Sequence, residues 1–322
     1  MSGPDLAARL LAGDTRALAR GISLAEERAA GAAGILRQIF PATGRALVLG
    51  VTGFPGAGKS SLVDRLTASY RAEGLKVGVV AIDPSSAFSG GAILGDRIRM
   101  MRHSIDPGVF IRSMATRGAL GGLSRATADT IDLLDASGHD IIIVETVGVG
   151  QDEVDIVRTA DTVLVVLVPG MGDDIQAIKA GILEIADVFV INKADHPGAD
   201  RLQAELETML SLGDEVERKE IVRTVAIRDD GTEPLVAAIR RHRASSEADG
   251  RSGTRRRRQS LWRFLDLLRE RLLETAVEKC LPGDAVERTA GEIAARRIDP
   301  YAATERVLER IDFGGGCAEK NP

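Results

Sequence analysis

The chain has 322 residues, 44% hydrophobic, 28% charged and only 3% aromatic, with 35 glycines. That is the composition of a globular α/β protein, long enough to bury a core as one large domain or two modest ones. A net charge of −5 lacks the basic excess that phosphate neutralisation requires, so nucleic acid is not an expected partner.

The N-terminus, MSGPDLAARLLAGDTRALAR, has neither the basic start nor the apolar stretch of a secretion signal. The longest apolar run, Val163 to Val168, is far shorter than the roughly 20 residues of a membrane helix. Cys280 and Cys317 are too few for a disulfide framework and are expected as free thiols. No membrane association and a cytoplasmic location follow as expectations.

Residues 1–42 read as two or three short helices with Leu6, Leu10 and Leu11 on one side. From residue 43 to 243 short apolar runs alternate with amphipathic stretches: ALVLGVT, KVGVVAID, VFIRSM, DIIIVET, DTVLVVLV, DVFVIN and IVRTVAI. Their apolar continuity, without alternation, predicts strands covered on both faces. The layout is that of an α/β fold with a mostly parallel, doubly wound sheet, and ligands are expected beyond the carboxyl ends of its strands. Residues 244–258 are polar and basic and read as a linker. Residues 259–312 read as three helices and 313–322 as a tail. The run Arg255 to Arg258 is assigned no function and is taken as a solvated stretch opening a helix.

GFPGAGKS, Gly53 to Ser60, matches the phosphate-loop pattern G-x-x-x-x-G-K-[ST] and lies between a predicted strand and a predicted helix. Glycines let backbone N–H groups curl round an anion, and the helix N-terminus adds a favourable dipole. Gly53, Pro55, Gly56, Ala57, Gly58, Lys59, Ser60 and Ser61 are therefore the expected phosphate-binding residues. Lys59 supplies a point charge to the outer phosphates and Ser60 a hydroxyl for Mg²⁺.

Asn192 to Asp195, NKAD, follows the run DVFVI and selects the base. The Asp195 carboxylate can accept from both the ring N–H and the exocyclic amino group of guanine, whereas adenine would leave it unpaired. Asn192 can meet the opposite edge of the base and the Lys193 stem can lie along its flat face. In the loop TVAIRDDG, Ala226 is the expected backbone contact. GTP and GDP are the expected ligands.

Mg²⁺ takes oxygen ligands, and Asp83, Asp96 and Glu145 sit at suitable loop positions. Lys59, Asp83 and Glu145 are the candidate catalytic set. Glu145 opens the segment ETVGVGQ, where many GTP-hydrolysing proteins carry Asp-x-x-Gly. Here it is Glu145-x-x-Gly148, with the glutamine displaced to Gln151. Glu reaches about one bond further than Asp and can hold a metal-bound water, so the exchange need not abolish hydrolysis. With no glutamine directly after Gly148 to orient the attacking water, it is expected to be slow until a partner orders the segment.

IDPSSAFSGGAILGDRIRM, FIRSMATRGALGGLSRAT, VETVGVGQDE, PGMGDDIQAIKAGILEIAD and NKAD together resemble the methylmalonyl-CoA mutase-associated GTPases, relatives of the human methylmalonic aciduria type A protein. Some of these were formerly described as lysine/arginine/ornithine transport ATPases or kinases. The resemblance runs from about Asp5 to about Ile311. It implies a homodimeric P-loop GTPase of the signal-recognition-particle and nickel-chaperone-like class, with the C-terminal helices as the natural dimer surface. It also implies a chaperone role toward an adenosylcobalamin-dependent acyl-CoA mutase, gating cofactor loading and protecting the mutase.

By the same resemblance Asp83, Asp96 and Glu145 belong to magnesium and switch regions. Gly148, Gln151, Asp173, Asp174 and Lys179 belong to mobile segments that report nucleotide state. One departure is TVA where Thr-Ser-Ala is commoner. Two other readings are a nickel metallochaperone, which wants a His or Cys cluster, and a transport-coupled kinase or ATPase, which wants an adenine site. His103, His139, His196 and His242 are scattered along the chain, and Asp195 disfavours adenine.

Overall fold

The computed structural model describes residues 3–83, 103, 105–115, 125–146, 156–170, 182–211 and 219–311. They fall into two compact units that divide between Arg256 and Arg257. The first opens with three helices, α1 (Gly3–Leu11), α2 (Thr15–Glu26) and α3 (Ala32–Ile39). Asp14 caps α2 by accepting from the backbone N–H groups of Arg16 at 2.8 Å and Ala17 at 3.1 Å, which satisfies two of the orphan donors at a helix start. Leu6 and Leu10 are buried, but Leu11 is exposed. One residue on from Leu10, it is turned about 100° round the helix axis, away from the apolar stripe.

All seven predicted runs are strands: β1 (Leu47–Gly53), β2 (Val77–Asp83), β3 (Val109–Ala115), β4 (Ile141–Glu145), β5 (Thr162–Leu167), β6 (Val188–Asn192) and β7 (Glu220–Thr224). They form one sheet in the order β3-β2-β4-β1-β5-β6-β7, with every pairing parallel. The continuity of the apolar runs now has its reason. Along β1, Val48 enters one core while Leu47, Leu49 and Val51 enter another, so each face of the strand needs an apolar residue. The first core also takes α1 to α3, α5 (Arg125–Ala136) and α6 (Ala199–Ser211). The second takes α4 (Lys59–Ala72) and α7 (Thr232–Ala248).

Tyr70 of α4 is buried in the second core with its hydroxyl unpartnered, and burial pushes that hydroxyl up to about 12. An unmatched buried donor keeps its desolvation cost, so Tyr70→Phe is expected to stabilise the fold by about 1 kcal/mol in denaturant unfolding.

At the amino ends of the strands, aspartates accept backbone N–H groups, among them Asp140 that of Lys76 and Asp106 that of Gly108. Asp135 binds those of Gly44, Arg45 and Ala46, Asp161 that of Val48 and Asp187 that of Val163. Two of them receive arginines from the stretch read as a linker. Residues 244–248 complete α7, and 251–258 open a 30-residue helix, α8 (Arg251–Cys280). The low apolar content of 244–258 reflects solvent exposure, and its Ala, Glu and Arg residues are compatible with a helix. Arg255 donates to Asp187 Oδ2 at 2.8 Å and to the Asp161 carbonyl at 2.6 Å, and Arg256 lies 3.7 Å from Asp161. The arginine run is therefore only partly a solvated face.

Burial pushes the Asp187 carboxyl up, but the hydrogen bond to His242 and the Arg255 charge outweigh it and hold the group below the usual range. Arg255→Ala leaves that carboxylate short of its cation and is expected to cost about 2–3 kcal/mol at neutral pH. A folded-state pKa below the unfolded value gives stability that is complete above about pH 4 and lost as pH falls through the folded value. The gap between variant and wild type in urea unfolding should narrow in that acid window.

The second unit holds the rest of α8 with α9 (Ala285–Ala294) and α10 (Pro300–Leu308). Leu261, Phe264, Leu265, Leu268, Leu272 and Leu273 are all exposed on it. The thiol of Cys280 is free and buried, while Cys317 lies outside the described residues. Among the described residues no helix is long and apolar enough to cross a membrane.

Candidate nucleotide site

The strand register brings the predicted residues to one edge of the sheet. Gly53 ends β1, Asp83 ends β2, Glu145 ends β4 and Asn192 ends β6, with Glu145 paired to Val51 and Asn192 to Thr224. From Gly53 the chain turns through the glycine loop into α4. Gly53, Gly56 and Gly58 all have positive φ, at 132°, 75° and 87°, a region that side chains with a Cβ rarely enter. Space restricts two of them further. A Cβ on Gly53 would lie 2.1 Å from the Val166 carbonyl oxygen, and one on Gly58 2.4 Å from Asn192 Nδ2. Gly56 meets nothing within 4 Å and, with Pro55, lies exposed at the rim of the loop.

Lys59 begins α4 and is buried, its Nζ donating to the carbonyls of Gly53 at 2.6 Å and Phe54 at 2.9 Å. The ammonium is thereby folded back over the loop whose N–H groups would hold phosphate. Ala57 is fully buried, while Ser60 and Ser61 are half-buried on the first turn. Ser60 Oγ donates to Glu145 Oε1 at 2.6 Å. Behind this pair, Thr146 Oγ1 donates to Thr52 Oγ1 at 3.0 Å, with both residues buried. The ends of β1 and β4 are thus tied directly beside the loop.

A hydroxyl and a carboxylate oxygen brought together at the head of the phosphate loop are the hard donors Mg²⁺ prefers, with phosphate and water completing an octahedron. The donor set fits that ion. Asp83 stands at the strand end next to β4, on the same edge. Asp96, Gly148, Gln151, Asp173, Asp174 and Lys179 lie outside the described residues.

At the base end, Asn192 is buried and spans two loops. Its Nδ2 donates to the Ala57 carbonyl at 2.8 Å, while Oδ1 accepts from Thr224 Oγ1 and from the Ala226 N–H, both at 3.1 Å. Asn192 is consequently a strut between phosphate loop and base loop, and the second Nδ2 hydrogen is what it has to offer a base edge. The Ala226 N–H, expected to face the base, is spent on Asn192. Lys193 has φ 55° and donates from Nζ to the Gly56 carbonyl at 3.0 Å, which lays its stem along the pocket. A non-glycine residue in this region is uncommon and clusters at ligand sites.

Asp195 Oδ2 accepts from Arg228 at 2.6 Å across an exposed part of the loop. Sequence reasoning missed Arg228, Thr224 and Arg65, which meets the base loop from α4. Arginines and a threonine carry no local signature that would single them out. The histidines are dispersed: His103 pairs with Asp64, His242 with Asp187, and His139 contacts the Leu134 carbonyl. Burial lowers the His139 pKa.

A glycine loop running from the central strand into a helix, in an all-parallel sheet with NKAD at the end of β6 two strands away, defines a P-loop GTPase. Residues 18–280 match the family described as Methylmalonyl Co-A mutase-associated GTPase MeaB, and the chain belongs to that family of GTP-hydrolysing enzymes. It is 50% identical over 322 residues to a protein of Pyrococcus abyssi, spanning 98% of this chain and 99% of that one. It is 38% identical over 232 residues to the mitochondrial methylmalonic aciduria type A homolog of Mus musculus, covering 70% of this chain and 56% of the mouse protein. The crystal structure of an LAO/AO transport system kinase superposes with a TM-score of 0.68 at 28% identity, covering 95% of this chain and 96% of that one.

Proposed function

We propose that this GTPase is the nucleotide-driven chaperone of an adenosylcobalamin-dependent acyl-CoA mutase, gating cofactor loading and protecting the loaded enzyme. The observation that carries the nucleotide half is the Ser60–Glu145 contact at 2.6 Å, which joins the phosphate loop to the first residue of the ETVGVGQ segment. A change at the γ-phosphate reaches that segment through one hydrogen bond. Family membership carries the mutase half.

In the proposed mechanism the glycine loop and Lys59 hold the triphosphate, and water attacks the γ-phosphorus in line with the leaving GDP oxygen. Ser60 and Glu145, with Asp83 and Asp96, would hold Mg²⁺. When bound, that ion neutralises charge on the phosphate oxygens. Lys59 does the same from the loop side, Asp195 reads guanine, and Asn192 keeps the two ends of the pocket in register. Gly148, Gln151, Asp173, Asp174 and Lys179 are assigned to the segments that meet the mutase. The exposed leucines of α8 supply an apolar face for a homodimer.

A switch must bind its partner differently in its two nucleotide states, and each tenfold difference corresponds to about 1.4 kcal/mol. The test titrates the cognate mutase with the protein loaded with GDP or with a non-hydrolysable GTP analogue, and measures GTP turnover with and without mutase. The proposal expects at least tenfold discrimination and faster turnover in the complex. Equal affinities together with indifferent turnover would remove the chaperone role.

A further inference from the structure

We infer that Arg65 is a positioning residue for the base-closing loop, coupling that loop to the helix that carries Lys59 and Ser60. The inference rests on the guanine reading of the pocket. Arg65 lies on α4 about 1.7 turns beyond Lys59. Its Nε donates to the Ala226 carbonyl at 2.8 Å and one terminal nitrogen to the Ile227 carbonyl at 3.2 Å, while the other stands 4.0 Å from Asp229. Two successive carbonyls are thereby held by one edge of a planar fork, a geometry that arginine offers and lysine does not.

The loop is gripped from two directions. From below, Asn192 Oδ1 accepts the Ala226 N–H. From the side, Arg65 holds the Ala226 carbonyl, so both polar groups of one residue are fixed by side chains from different elements. The far end is tied by the more exposed Arg228–Asp195 pair, by Thr232 Oγ1 donating to Asp229 Oδ1 at 2.8 Å and by a backbone bridge between Val225 and Asp230. The Arg65 side chain is 23% exposed, and α4 beneath it is anchored by the buried Leu62, Val63 and Leu66. Phosphate grip and base grip thus share one rigid element. Removing Arg65 takes away the side grip on Ala226 and Ile227, leaves the loop to Asn192 and its own internal bonds, and keeps the contacts of Lys59 and Ser60.

The test uses the full chain with Arg65→Ala and Arg65→Lys. For Arg65→Ala, KM for GTP and Kd for GDP should rise about tenfold, the scale of losing charge-assisted hydrogen bonds. kcat at saturating GTP should stay within twofold. ITP, which keeps the guanine O6 but lacks the 2-amino group, should lose the same factor as GTP. Lysine should recover only part of the loss, and it carries the test if the alanine variant does not fold. Unchanged affinity, a fall in kcat with KM unmoved, or an equal weakening of inorganic tripolyphosphate would each overturn the inference. A wild type that prefers ATP to GTP would instead overturn the guanine reading beneath it.

Discussion

Asp195→Asn is expected to weaken GTP binding by about 10³-fold or more and to open the pocket to xanthosine triphosphate. A carboxylate accepts two hydrogen bonds from the guanine ring N–H and 2-amino group. An amide can accept only one and turns a donor against the other. Sites that read a base through buried hydrogen bonds discriminate on the order of 10⁴, because the mismatched group keeps its desolvation cost. Xanthine carries a carbonyl at position 2, which an asparagine amide can bind. The Arg228 pair with Asp195 is exposed at its arginine end and contributes little to the difference. Competition of GTP, XTP and ATP against a fluorescent guanine nucleotide would measure all three. An Asp195→Asn protein that keeps wild-type GTP affinity would show that base choice lies elsewhere.

Gly53→Ala is expected to abolish measurable GDP binding and to lower unfolding free energy by about 3 kcal/mol. At φ 132° the residue occupies a region alanine avoids, and its Cβ would sit 2.1 Å from the Val166 carbonyl oxygen. That oxygen belongs to the neighbouring strand in parallel register, Gly53 beside Val166, so no flexible side chain can swing aside. The strand end or the loop must move, and the loop is the softer of the two. Gly56→Ala is the control: its Cβ meets open space, leaving a backbone cost of about 1 kcal/mol. Denaturant unfolding and calorimetry with GDP on both variants decide the matter. Equal behaviour of the two would refute the packing account.

The site was legible where chemistry is written in consecutive residues. Lys59 and Ser60 were readable because a phosphate loop needs glycines at set spacings, and Asp195 because NKAD follows a strand. The helical state of 244–248 and 251–258 is not readable. Polar composition reports exposure, and a helix with most of its length in water looks like a linker when no apolar stripe marks it. Leu11 was grouped with Leu10 by proximity, and the helical turn separated them. The commitment of Asn192 to Ala57 and Ala226 was also beyond reach, since a strut and a ligand are built from the same side chain.

Strands, the helices between them, the phosphate loop and the base motif are all readable from the residues in order. Each of these is a local pattern: apolar continuity for burial on both faces, and glycine where φ must be positive. That Ser60 meets Glu145, that Asn192 bridges two loops, that Arg65 holds Ala226 and that Arg255 reaches Asp187 emerges only once the chain is folded. Those pairs are brought together by strand order and register. Hydrogen bonds between elements far apart in the chain depend on angle and distance at the tenth of a nanometre, and that geometry leaves no mark on the composition of either partner's neighbourhood.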